Sequence, residues 1–335
     1  MIQIKKWLIS SLIFFSYGSI AATVDEGVTL FNQKHFKQAR VIFESLAKQG
    51  DDSAMFWLGI TQFRTGEQFK AGETLLESAE AGNPWAMLMM SPEENGYCGY
   101  LGWPCDSSWR GHAFTALEEL ASQGNGDAIC VLLYRKGKPW WAYVPIYNKK
   151  RGEELAEKGV KDGWYGMASC GIPMDIKKQL ELLEYAANQN YAPAMVDLYY
   201  LQNKYKPKEG GSVDLLKKAL KLGYLGGAFN LLDAVDQTYK TIDTVSDAKE
   251  LSVDEVNNLE ETYFYSLIVK NMGVPNVGFF VTKYVRDEND ERQAVTLISP
   301  KRQKEIEERA DLFLNKIKQN LYLKESSTAN ELLGS

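Results

Sequence analysis

The stretch Ala47-Lys48-Gln49-Gly50-Asp51-Asp52-Ser53-Ala54 sets a small residue, a glycine three positions on, and a second small residue four beyond that. The pattern A-x-x-G-x-x-x-A returns along the chain. Ala79, Gly82 and Ala86 repeat it, as do Ala121, Gly124 and Ala128. Ala187, Asn190 and Ala194 repeat it with asparagine in the glycine place, and Ala156, Gly159 and Gly163, then Leu220, Gly223 and Gly227, are weaker copies. The first residue advances by 32, 42, 35, 31 and 33 positions from copy to copy. A period in this range marks a stack of helical units.

Each copy reads as one helix ending and the next beginning. Glycine suits the position after a helix because it adopts the left-handed conformation without a side-chain penalty, and asparagine is the usual substitute. Gly82-Asn83-Pro84 then gives terminating glycine, N-cap asparagine and first-turn proline in the order helix ends prefer. The flanking alanines suit places where two helices cross closely.

Working outward, Val24 to Phe31 and Phe36 to Gln49 form the first helix pair, and Ser53 to Phe63 and Glu67 to Ala81 the second. The third pair, Pro84 to Met90 and Gly111 to Ser122, is split by an insertion from Ser91 to Trp109, which accounts for the 42-residue step. Further pairs are expected over Asp127 to Tyr134 with Lys149 to Lys158, Trp164 to Cys170 with Ile176 to Gln189, Ala192 to Asn203 with Val213 to Leu222, and Gly226 to Tyr239 with Val253 to Met272. Past Gly273 the pattern changes. Val277 to Val285 and Ala294 to Ile298 are strand-like, with Arg286 to Arg292 as a hairpin loop. A helix then opens at Pro300 and runs to about Leu321. The expected fold is therefore all-α: an αα-solenoid over residues 24–272, a small C-terminal β-hairpin plus helix cap over 273–322, and a disordered tail over 323–335.

Residues 1–21 read as a cleaved signal peptide. Lys5 and Lys6 precede an apolar run from Trp7 to Tyr17, and Ser19-Ile20-Ala21 resembles a peptidase site. The run is short for a membrane span, and no other segment would serve as one. Loss of Lys5 and Lys6 takes the formal net charge from -6 to -8. An acidic chain with no arginine-rich run is a poor nucleic-acid binder. Four cysteines suit an oxidising compartment. Cys98 and Cys105 enclose a glycine- and proline-containing turn, and a local disulfide is expected there. Cys130 and Cys170 remain open between buried thiols and a second bridge.

The A-x-x-G-x-x-x-A signature, with Leu58-Gly59 and Gly66 downstream, resembles the Sel-one-like repeat, an αα-solenoid related to tetratricopeptide repeats. The resemblance spans roughly residues 30–235. It implies an adaptor whose concave surface receives another protein. Exported members include immunity proteins that neutralise type VI secretion phospholipase effectors in the periplasm. The degraded repeats and irregular insertions of this chain favour that group. The expectation drawn from the resemblance is a periplasmic protein that binds and sterically blocks a phospholipase toxin. The alternative is an envelope adaptor that assembles or regulates other exported proteins.

No phosphate loop, zinc motif or nucleophile elbow is present. Ser107, Ser108 and His112 lie close together, but no acid is placed to orient the histidine. Catalysis, cofactors and metals are not expected. Candidate partner contacts are the aromatics of the irregular loops: Tyr97, Tyr100, Trp103, Trp109, Trp140, Trp141, Tyr143 and Tyr147. Such residues dominate interface hot spots. Glu93, Glu94 and Asp106 would complement a basic partner surface.

Overall fold

The computed structural model describes residues 22–145, 147–205, 210–274, 279 and 281–333. The signal-peptide reading of residues 1–21, and residues 277, 278 and 280 of the expected first strand, lie outside them. Helices follow one another as antiparallel neighbours: α1 (Val24–Asn32), α2 (Phe36–Ala47), α3 (Asp52–Arg64), α4 (Gln68–Glu80), α5 (Pro84–Met89), α6 (Tyr97–Leu101), α7 (Ser108–Ser122), α8 (Gly126–Val131) and α9 (Tyr147–Lys161). The series continues with α10 (Ile176–Asn188), α11 (Ala192–Tyr205), α12 (Val213–Lys221), α13 (Leu225–Val235), α14 (Gln237–Thr241), α15 (Val245–Lys249) and α16 (Val253–Asn271). Strands β1 (Thr282–Arg286) and β2 (Arg292–Thr296) pair antiparallel with Thr282 opposite Thr296. Helices α17 (Pro300–Leu314) and α18 (Glu325–Leu333) complete the chain. Each helix packs mainly on its neighbours in sequence, and this makes the architecture an αα-solenoid.

The repeated motif is the joint between helices. Gly50, Gly82 and Gly124 all have positive φ, and Asn190 joins them at 63°. Their amides donate to Ala47, Ala79, Ala121 and Ala187 at 2.9–3.1 Å. In the first three joints the next residue is a polar cap: Asp51, Asn83 and Asn125 accept from the amides of Ala54, Ala86 and Ala128 at 2.8–2.9 Å. The second alanine is thus the third residue of the new helix, fully buried where the helices cross.

The fourth joint lies one helical turn later than the spacing of Ala156, Gly159 and Gly163 implies. Gly159 is inside α9, and the terminating residue is Gly163, whose amide donates to Val160. Gly159 is small for a different reason: a Cβ there would lie 2.0 Å from the Met167 sulfur. The helix expected from Trp164 to Cys170 is only a 3-10 turn, Tyr165–Ala168, because Gly171 at φ 81° and Pro173 turn the chain away.

Two large cores result. One joins α1 to α8, the other α9 to α17, and the hairpin adds a small third cluster around Ile242, Leu259 and Val285. Cys130 and Cys170, with Cα atoms 5.5 Å apart, are bridged across the shortened fourth and fifth repeats. Cys98 and Cys105, 5.7 Å apart, are bridged within the insertion of the third.

The end of the chain departs most from expectation. The capping helix stops at Leu314, not near Leu321, and residues 323–333 are not a disordered tail. The chain leaves α17, runs back across the later repeats, and ends as α18 against α5 and α8. Ala329 is buried in the core of the N-terminal half. Disorder was the natural reading because Glu325-Ser-Ser-Thr-Ala-Asn has little apolar surface of its own, and its partners are supplied by distant repeats.

Candidate functional site

The first three joints carry Asp51, Asn83 and Asn125 immediately after the glycine. The last three carry aromatics: Trp164, Tyr191 and Tyr224. The final segment of the chain runs along these positions in reverse order, in what we call the inner groove. We call residues Asn320–Ala329 the strap.

The strap enters at Gly223, where the Asn320 amide donates to the Gly223 carbonyl at 3.0 Å. A Cβ on Gly223 would lie 1.9 Å from the Lys318 carbonyl oxygen. Tyr322 then sits edge-on against Tyr191 and Tyr224, ring centroids 5.9 and 5.5 Å away. Asn32, at the end of α1, reads the backbone opposite: its Nδ2 donates to the Leu323 carbonyl at 3.0 Å, and the Leu323 amide donates to its Oδ1 at 2.8 Å. The Leu321 amide adds a bond to the Asn32 carbonyl at 3.0 Å. Lys324 lies over the Trp164 ring at 5.2 Å and near Asp127 at 3.6 Å. Glu325 accepts from the Ser53 hydroxyl and bonds to Asn83. Burial pushes the Glu325 carboxyl up to about 7, with Asp52 and Asp51 adding to the shift and the two hydrogen bonds opposing it. Burial likewise raises the Tyr191 hydroxyl well above its usual range.

The two ends of the solenoid meet across the same groove. Lys34 Nζ donates to the Met272 carbonyl at 2.7 Å, which closes the array on itself. Burial, then Arg64, lowers the Lys34 pKa. Beside the strap a cavity of about 850 Å³ stays open, lined by Phe36, Phe229, Met272 and Tyr322 among others.

The residues expected to meet a partner divide into two groups. Trp103 is a core residue: it is 6% exposed, seals the space over Gly72 and donates from Nε1 to the Gln68 carbonyl at 2.9 Å. Tyr97 is half-buried between Phe63 and Trp103. Trp109 is half-buried with its ring edge toward His112. Glu94 is held by Arg110 at 2.9 Å and Arg135 at 2.7 Å, so its charge is spent inside the fold. Hydrogen bonds from Ser107 and Ser91 lower the Glu93 carboxyl, and those from Ser108 lower Asp106; both side chains remain at the surface.

The second group is exposed. Tyr100 projects from α6, Trp140 and Tyr143 from the connection between α8 and α9, and Tyr147 from the first turn of α9. The rings of Trp140 and Tyr147 are stacked, 6.2 Å apart and within 15° of parallel. Trp141 turns inward and lines a cleft of about 440 Å³ with Leu132, Leu133 and Leu155, rimmed by Lys136 and Lys138. Among the described residues no cluster of His, Cys, Asp or Glu is arranged to hold a metal, and no helix is long and apolar enough to cross a membrane.

The class these features define is an αα-solenoid closed by its own C-terminal segment. No family model matches the chain, and no curated protein matches it. Among solved structures, it is similar to a protective antigen present in uropathogenic Escherichia coli strains and described as displaying an SLR fold. That similarity is 16% identity over 93% of this chain and 68% of the antigen, with a TM-score of 0.34. A Sel1 repeat protein from Oxalobacter formigenes is 14% identical over 68% of this chain and 96% of its own, with a TM-score of 0.37. At overlaps this low no residue is carried across, and the fold rests on the helix pairs of this chain.

Proposed function

We propose that this chain is an exported, non-catalytic, protein-binding solenoid of the Sel-one-like repeat type, and that the connection around Trp140 is an outer contact surface. The observation that carries this reading is the exposed, stacked pair Trp140 and Tyr147 beside an apolar cleft. Aromatics left in solvent next to a concave apolar surface are what interface anchors look like before a partner covers them. Lys136 on the cleft rim is paired with Glu118, so the contact expected there is carried by the aromatic and apolar groups more than by charge. Two cysteine bridges fit an oxidising compartment and support export to the periplasm.

In its sharper form the protein is an immunity protein that occludes the substrate entrance of a secreted phospholipase. The test is residual lipase activity of a phospholipase encoded beside this chain, measured with a molar excess of the purified protein. Inhibition that weakens on Trp140→Ala/Tyr143→Ala substitution is expected. Unchanged activity sinks the toxin reading. A chain lacking residues 1–21 should fail to protect cells if the toxin acts outside the cytoplasm.

A further inference from the structure

Three features of the inner groove point beyond the outer surface. The first is the Asn32 amide. It holds both backbone polar groups of Leu323 and touches no side chain in doing so, which is how a groove holds an extended segment of any sequence. The second is the graded lining. Aromatic rings stand at the joints of the later repeats and polar caps at the joints of the earlier ones, so a segment lying along them meets an aromatic slot, a cation site and a carboxyl site in turn. The third is the imperfect fit of the strap. The Thr328 hydroxyl is fully buried without a hydrogen-bond partner, and the half-buried Glu325 carboxyl stands beside Asp51 and Asp52. Both features are costly where they stand. The cavity beside Tyr322 also leaves the groove wider than its occupant.

We propose that the inner groove is a binding site for an extended segment of a partner protein, and that the strap is an internal ligand which this segment displaces. The chemistry of the incoming segment is set by what the strap presents: an aromatic side chain for the Tyr191–Tyr224 slot, an aliphatic residue clamped by Asn32, a cation for Asp127 and Trp164, then a carboxyl side chain at the start of a short helix. This rests on the protein-binding reading but on none of the residues around Trp140, and a failure in one place leaves the other standing.

The probe is a fluorescein-labelled peptide of residues Gln319–Leu333, titrated against the full chain and against its Tyr322→Ala variant by anisotropy. Weakening the strap frees the groove, so the variant should bind the peptide about ten-fold more tightly than the unsubstituted chain. Adding Asn32→Ala to that variant should reduce binding by about ten-fold again. No binding to the variant, equal binding to both chains, or indifference to Asn32→Ala overturns the proposal. If Tyr322→Ala does not fold, hydrogen exchange on the unsubstituted chain decides. The amides of Leu321, Leu323 and Thr328 should exchange at least about ten-fold faster than those in the middle of α11 and α13. Equal protection makes the strap a permanent part of the core and rejects displacement.

Discussion

Asn32 and Leu323 are 291 positions apart in sequence and joined by two hydrogen bonds, amide to backbone in both directions. The pair ties the first helix to the last extended segment, and with Lys34 on Met272 it turns an open array into a closed one. A neutral hydrogen bond contributes about 1 kcal/mol net, and leaving its partner unpaired costs somewhat more. Asn32→Ala should therefore lower stability by about 1–3 kcal/mol in urea unfolding. Asn32→Asp should cost at least as much, since a carboxylate cannot donate to the Leu323 carbonyl.

Gly223 and Gly50 separate the cost of backbone geometry from that of contact. Both have positive φ, 82° and 91°. A Cβ on Gly50 meets nothing within 4 Å, whereas one on Gly223 strikes the Lys318 carbonyl at 1.9 Å. Gly50→Ala should cost about 1 kcal/mol from the left-handed conformation alone. Gly223→Ala should cost that and also dislodge the strap, read as faster exchange at Asn320 and Leu321. Equal effects of the two substitutions would mean that the strap yields freely at this point.

Most of the solenoid was legible because its signals are local. A terminating glycine, a cap beside it and an alanine three residues later all act within one turn of each other, so Ala79-Gly82-Ala86 announces its joint without help from the rest of the chain. The fourth joint was misplaced because Gly159 answers to the Met167 sulfur, a packing demand that has the same spelling as a helix end. Trp103 looked like a loop anchor because its acceptor on Gln68 and its seat on Gly72 lie one repeat upstream. The strap was invisible for the same reason at longer range. One signal was present all the same: Trp164, Tyr191 and Tyr224 stand where Asp51, Asn83 and Asn125 stand in the earlier copies. Replacing a capping side chain by an aromatic at three successive joints forgoes a hydrogen bond each time. The gain lies in contacts with Tyr322 and Lys324 of the strap.

The two bridges should differ in worth. In the chain-entropy account, closing the 40-residue separation of Cys130 and Cys170 contributes about 4 kcal/mol, and the seven-residue separation of Cys98 and Cys105 about 2 kcal/mol. Paired serine substitutions, compared by denaturant midpoint, should preserve that order. The longer bridge also ties α8 to the segment after α9, where a 3-10 turn stands in place of a full helix, so its loss should loosen Trp164 and with it the Lys324 contact.

Trp103 and Trp140 make opposite predictions from the same residue type. Trp103→Ala empties a buried, hydrogen-bonded site over Gly72 and should cost about 3–5 kcal/mol. Trp140 is 73% exposed, and its substitution by alanine should change stability by less than about 0.5 kcal/mol while weakening the partner complex by about 2 kcal/mol or more. Unfolding curves and binding titrations on the two variants test this directly. A Trp140→Ala chain that binds its partner unchanged would move the outer contact surface elsewhere.

Glu325 gives the strap a pH dependence whose sign is fixed by its surroundings. Its carboxyl titrates near 7 in the groove against an ordinary value of 4.5, so the seated strap favours the protonated form. Facing it are Asp51 and Asp52 at the start of α3, Ser53 in the first turn of that helix, Asn83 before α5, and, one residue away, Lys324 engaged with Asp127. A raised carboxyl pKa means that the seated state is unaffected below about 4.5, loses stability as pH climbs from there to about 7, and is level above that. Across that window the loss is at most about 3 kcal/mol, and less where water reaches the carboxyl. Exchange at the Thr328 amide, bonded to the Lys324 carbonyl at 2.8 Å, should therefore be slower relative to intrinsic rates at pH 5 than at pH 8. Glu325→Gln keeps the hydrogen-bonding oxygen and removes the charge, so it should abolish the difference and hold the strap at pH 8 as firmly as at pH 5. A pH dependence that survives Glu325→Gln would remove Glu325 as its source.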